Sequence, residues 1–97
     1  MTLPVVWLHD ARTEYYEALR WYLDIGGHLG ERFAQAVEET QETIAQSPLR
    51  FPVIHKGRHK AGVRRFPYGL YYLIEDTRIV IIACFHGKRN PRVWQRR

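Results

Sequence analysis

Sulfur is nearly missing from this chain of 97 residues, carboxylates are scarce in its second half, and no long apolar run occurs anywhere. The single cysteine, Cys84, excludes an intrachain disulfide, gives no reason to place the chain in an oxidising compartment, and reads as a small buried hydrophobe. No segment reaches membrane-spanning length, and the opening Met1 to Asp10 carries no positive charge ahead of its apolar residues, so a cytoplasmic protein without a membrane partner is expected. There is no glycine-rich phosphate loop and no Ser-His-Asp arrangement. His55 and His59 stand four apart on a basic turn with no third ligand in view, so neither a cofactor nor a metal is expected. Without repeats, low-complexity tracts or linkers, residues 1–97 read as one domain.

What is present is a division of charge. Through Leu49 there are three arginines against eight carboxylates, and from Arg50 onward twelve basic residues against Glu75 and Asp76 alone. The positive field therefore comes from the second half, and an anionic partner, a nucleic acid or an acidic protein, suits it.

The hydrophobic pattern divides at the same place. Val5 to His9 is a short strand candidate, with Asp10 placed to cap a helix. From Ala11 to about Ile25, residues Ala11, Tyr15, Ala18, Leu19 and Tyr22 recur at helical spacing, and Gly26-Gly27 ends the run. A second helix is expected from about Leu29 to Gln46, with Leu29, Phe33, Val37 and Ile44 on its apolar side, stopped by Ser47-Pro48. Phe51 to Ile54 is a short edge strand candidate, and Ala61 to Phe66 the next strand, cut by Pro67. Leu70 to Ile74 and Ile79 to Phe85 flank Glu75-Asp76-Thr77-Arg78 as two strands of a hairpin. The last strand is apolar on both faces, so either both are covered or one awaits a partner. The order predicts an α+β fold: an N-terminal strand, an antiparallel helical hairpin, then a three- to four-stranded antiparallel sheet.

Three motifs at their mutual spacing carry a resemblance: Val63-Arg64-Arg65-Phe66-Pro67-Tyr68, then Tyr71-Tyr72, then Phe85-His86-Gly87-Lys88-Arg89-Asn90-Pro91 with Trp94. Over nearly its full length the chain resembles the RelE/ParE superfamily of bacterial toxins, also called plasmid stabilisation proteins. The resemblance implies the toxin of a type II toxin–antitoxin pair, held inactive by a cognate antitoxin whose flexible segment wraps it. One branch of the superfamily cuts messenger RNA on the ribosome, and the other poisons DNA gyrase and blocks replication.

Attack of a 2′-hydroxyl on its phosphate needs a base, an acid and cations around one phosphate. In the nuclease branch an arginine begins the strand that here carries Tyr71-Tyr72, and that position is Gly69. No tyrosine follows Tyr72. These departures favour a ParE-like toxin that acts by binding gyrase; a nuclease site would have to use Arg64, Arg65, His86 and Lys88, and a non-toxic binding relative is a third alternative. Target or antitoxin contacts are expected among Arg64, Arg65, Tyr71, Tyr72, His86, Lys88, Arg89 and Arg92, with the antitoxin covering an open apolar sheet face and the groove beside the helices.

Each of these residues also has a plain structural use. Arg64 and Arg65, neighbours on an expected strand, would face opposite sides, one pairing with a glutamate and the other solvated. Tyr71 and Tyr72 would also face opposite sides, one of them in the core. His86, in phase with Val80, Ile82 and Cys84, could cap the sheet as a hydrogen-bonded structural residue. Lys88, Arg89 and Arg92 form a basic turn around Asn90-Pro91, while Trp94 is expected to pack back on the domain.

Overall fold

The computed structural model describes residues 2–97. Its elements are β1 (Val5–Trp7), α1 (His9–Ile25), α2 (Gly27–Gln46), β2 (Val53–His55), β3 (Arg58–Gly62), β4 (Tyr68–Glu75), β5 (Arg78–His86) and a short α3 (Arg92–Gln95). The expected α+β order is present, with the strands arranged β1-β5-β4-β3-β2 in one sheet. The sheet is mixed rather than purely antiparallel, because β1 runs parallel to β5, Val5 opposite Ile79 and Trp7 opposite Ile81. A partner some seventy residues away sets that direction, and no local pattern in β1 encodes it. Among the described residues no helix is long and apolar enough to cross a membrane.

Pairing of β1 runs straight into α1. The Leu8 amide donates to Ile81 O while its carbonyl accepts from Arg12, so the helix begins at His9 with Leu8 in the capping position. Asp10 is therefore not the N-cap; it sits inside the first turn, where its charge faces the free amides. Gly26, extended, ends α1 through its N–H to Tyr22 O and opens α2, which starts at Gly27 rather than at Leu29. The helices then approach closely at Gly30, where an added Cβ would stand 2.2 Å from Leu23 Cδ2 and 3.1 Å from its Cα.

Ala11, Ala18 and Tyr22 of α1 and Phe33, Val37 and Ile44 of α2 bury against Leu70, Tyr72, Ile79, Ile81 and Cys84 of the sheet. The side-chain phase of β5 breaks in the middle: Tyr71 pairs with Ala83 and Tyr72 with Ile81, leaving Ile82 as an extra residue. This bulge throws Cys84 onto the helix side with Ile79 and Ile81, and Val80, Ile82, Ala83 and Phe85 onto the other. Strict alternation, which puts Cys84 and His86 in phase with Val80 and Ile82, fails at that one residue.

The second face of the sheet is not open. Trp94 of α3 lies over it, its ring 4.4 Å from that of Tyr71, and together they bury Val80, Ile82, Ala83 and Phe85 to 5% exposure or less. The expected uncovered apolar face is thus occupied by the chain's own C-terminal segment; covering an aromatic ring stabilises by about 2–3 kcal/mol. Arg97 fixes the segment further. Its guanidinium donates to both Glu14 oxygens, at 2.8 and 3.1 Å, and to Ile82 O at 3.0 Å, while Glu14 also accepts from the Cys84 amide. Two side chains thereby occupy backbone groups on the part of β5 that extends past β1.

Candidate functional site

Pro67 donates no hydrogen bond and holds Phe66 away from helical geometry. The chain closes there into a turn, with the Val63 amide on Tyr68 O at 2.9 Å and the Phe66 amide on Val63 O at 3.1 Å. Arg64 and Arg65 are therefore not neighbours on a strand. β3 ends at Gly62, and both arginines sit exposed on the loop, Arg65 with φ 70 in the left-handed region. The Phe66 ring anchors this loop to the helices, 5.0 Å from Tyr22 and 5.1 Å from Phe33.

The segment after β5 meets it. Tyr68 pairs with His86 in the sheet, and the Gly87 amide donates to Pro67 O at 2.9 Å. His86 Nδ1 accepts from the Lys88 amide at 3.0 Å, Asn90 Oδ1 from the Arg92 amide at 3.0 Å, and the Arg89 guanidinium lies 4.4 Å from the centre of the Phe85 ring. The two turns thus form one rim at the end of β4 and β5. It gathers Arg64, Arg65, Lys88, Arg89 and Arg92, all exposed, and among the described residues none of them lies in a salt bridge.

A groove flanks the rim on each side. One, of about 440 Å³, runs between α1 and the end of β5 and is lined by Glu14, Trp21, Tyr68, Cys84, His86 and Arg89 among others. The other, of about 390 Å³, lies against α2 and is lined by Arg32, Gln35, Glu39, Arg64, Arg65 and Phe66 among others. The bulge explains why Cys84 and His86 face this groove on the helix side rather than the opposite face with Val80 and Ile82. Burial, with Glu14 adding to it, pushes the Cys84 thiol up to about 12, so it is protonated at neutral pH and is no nucleophile. Tyr68 is raised first by burial and then by Tyr22 and Cys84, against the nearby Arg89, and likewise keeps its proton.

The remaining expected contacts lie elsewhere. Tyr72 is fully buried in the main core, its hydroxyl donating to Pro48 O at 2.7 Å and its ring stacked on His59. Tyr71 is buried under Trp94 on the other face. Neither presents a ring to a partner in this conformation. The residues that sequence reasoning missed are on α1: Tyr16, Trp21, Leu23 and Ile25 are between 45% and 59% exposed. Their signal was available, since all four are large apolar residues outside the stripe of Ala11, Tyr15, Ala18, Leu19 and Tyr22.

Residues 5–91 match the model of the ParE toxin of the type II toxin-antitoxin system parDE, and the chain belongs to that family. Among solved structures it is similar to a chain of the chromosomal ParDE TA system from P. aeruginosa, with a TM-score of 0.76 at 16% identity over 88% of this chain and 96% of that one. At that identity the likeness is one of fold. Among curated proteins no sequence matches.

Proposed function

We propose that this toxin arrests bacterial growth by binding DNA gyrase, catalyses nothing itself, and is neutralised by a cognate antitoxin. The observation that carries the choice of branch is Gly69, which stands where the resemblance to the nuclease branch calls for an arginine. It is buried, and a Cβ there would already crowd Lys60 Cε at 3.1 Å and Tyr71 Cε1 at 3.3 Å, so this position supplies no cation for a phosphate. Induced alone in bacteria, the chain should cause filamentation, DNA-damage signalling and gyrase-trapped DNA. Normal supercoiling with stalled translation overturns this.

One observation favours a second possibility, a ribosome-dependent ribonuclease. His86 sits 5.3 Å from the ring of Tyr68, and both line a groove with Arg89, which brings a titratable ring, a phenol and a cation together. Primer extension on a translated message decides it, since new cuts within codons must appear if it is right.

For the antitoxin, the covered second sheet face leaves α1 as the docking surface. Its exposed residues fall on two flanks, Trp21 and Ile25 on one and Tyr16 and Leu23 on the other, and the flank of Trp21, which shares a groove with Arg89, suits a segment that orders on binding with acidic side chains meeting the cationic rim. Adding the cognate antitoxin should slow amide exchange in α1; unchanged exchange there rejects this placement.

A further inference from the structure

The cationic rim and most of the exposed apolar residues of α1 occupy different parts of the molecule; of Tyr16, Trp21, Leu23 and Ile25, Trp21 alone lines a groove with a rim cation, Arg89. Arg64, Arg65, Lys88 and Arg89 come from two turns cross-linked by the Gly87 to Pro67 hydrogen bond, Arg92 opens α3 just beyond them, and none of the five is neutralised by a carboxylate among the described residues. Between them lie Phe66, half-buried with its ring turned into the helices, and small or polar groups such as Gly87 and Asn90. On the rim's two turns, from Val63 to Pro67 and from Gly87 to Pro91, no large apolar side chain is exposed; the nearest in the chain is Val93, next to Arg92 on α3.

A protein interface draws most of its energy from buried aromatic or aliphatic anchors, which the two turns lack. A phosphodiester backbone needs only spaced cations and releases counterions when it finds them. We infer that this rim binds the phosphate backbone of duplex DNA directly and without sequence preference, while α1 takes the protein partner. The inference goes beyond the gyrase proposal and rests on it only for one consequence, that the toxin engages gyrase and its DNA together. Direct duplex binding is independent of that target.

The test is fluorescence anisotropy of the full chain with a labelled duplex of about 20 base pairs, without gyrase, across a salt series. Five backbone contacts give a slope of log affinity against log salt of about −4.5, and each rim cation removed lowers its magnitude by about 0.9. Arg64→Ala, Arg65→Ala and Lys88→Ala should each weaken binding by about fivefold at moderate salt. Arg78→Ala is the control: Arg78 pairs with Glu75 at 2.7 Å at the other end of β5, eight residues or about 26 Å from His86. All four positions are exposed, so circular dichroism should be unchanged.

Absence of salt-dependent binding, equal losses from Arg78→Ala and the rim variants, or displacement of the duplex by polyglutamate of equal charge at equal concentration each overturns the inference. Tighter binding to a structured RNA of the same length does so as well. If the duplex binds as described but gyrase activity is untouched, the rim's role stands and the gyrase proposal falls.

Discussion

At the scale of single residues, the Glu14 and Arg97 pair is the most exposed to test. Both side chains are nearly buried, at 9% and 13% exposure, and each also satisfies a backbone group of β5. Arg97→Ala leaves the nearly buried Glu14 carboxylate without its cation and should cost about 3 kcal/mol, read as the midpoint of urea unfolding. Arg97→Lys should recover less than half, since one ammonium cannot serve both carboxylate oxygens and a carbonyl in the same geometry. Two other buried groups give a pH dependence. Burial pushes Tyr72 and Cys84 each up to about 12, from ordinary values of 10.0 and 9.0. Both hold their proton more tightly when folded, so their contribution is complete below pH 9 and is lost as pH rises from there through 12. The melting temperature should fall across that window, and Cys84→Ala should remove the part of the fall that begins at the lower end.

At the scale of elements, the turn carrying Arg64 and Arg65 and the helical hairpin make opposite predictions for glycine. Arg65 holds φ 70, a conformation that costs a side-chain-bearing residue about 1–2 kcal/mol, and no backbone hydrogen bond of the turn uses its amide. Arg65→Gly should relieve that strain and, after the added freedom of the unfolded chain, raise stability by about 0.5 kcal/mol in thermal melts while weakening duplex binding. A stable variant with a weaker site identifies strain kept for function. Gly30→Ala goes the other way. The better helix propensity of alanine, worth about 1 kcal/mol, is outweighed by the collision with Leu23, and a net loss of about 1 kcal/mol is expected. The C-terminal segment is an element of the same importance. Trp94→Ala should uncover Tyr71, Ile82 and Phe85, cost about 3 kcal/mol and create binding of a hydrophobic dye that the parent lacks.

At the scale of the molecule, the acidic half and the basic half became two working surfaces joined by one core. α1 and α2 supply the inner apolar layer and also carry the exposed aromatic residues, while the sheet carries the cations to one end. The cations are not all there. Arg78 is paired at the far hairpin, Lys60 lies 5.8 Å from the centre of the Tyr71 ring, and Arg97 is spent on Glu14. The chain's net charge thus overstates the free field; five exposed cations gather at the rim, and Arg50, Lys56 and Arg96 are exposed outside it, with no salt bridge among the described residues.

Periodicity by itself determined the α+β order, both helices to within two residues and the β4–β5 hairpin, because each of these rests on contacts between near neighbours or on one strong apolar pattern, while the size of the Trp94 ring alone pointed to its return to the domain. The residues that carry the family likeness were legible for the same reason. Only the tertiary structure decided the parallel placement of β1, the bulge at Ile82 that turns His86 toward the helices, the turn that takes Arg64 and Arg65 out of the sheet, and the closing of the second face by residues 92–97. Those four depend on which distant backbone groups find each other, and a one-residue slip in a strand or a hydrogen bond between two loops leaves no mark on the pattern of side chains along the chain.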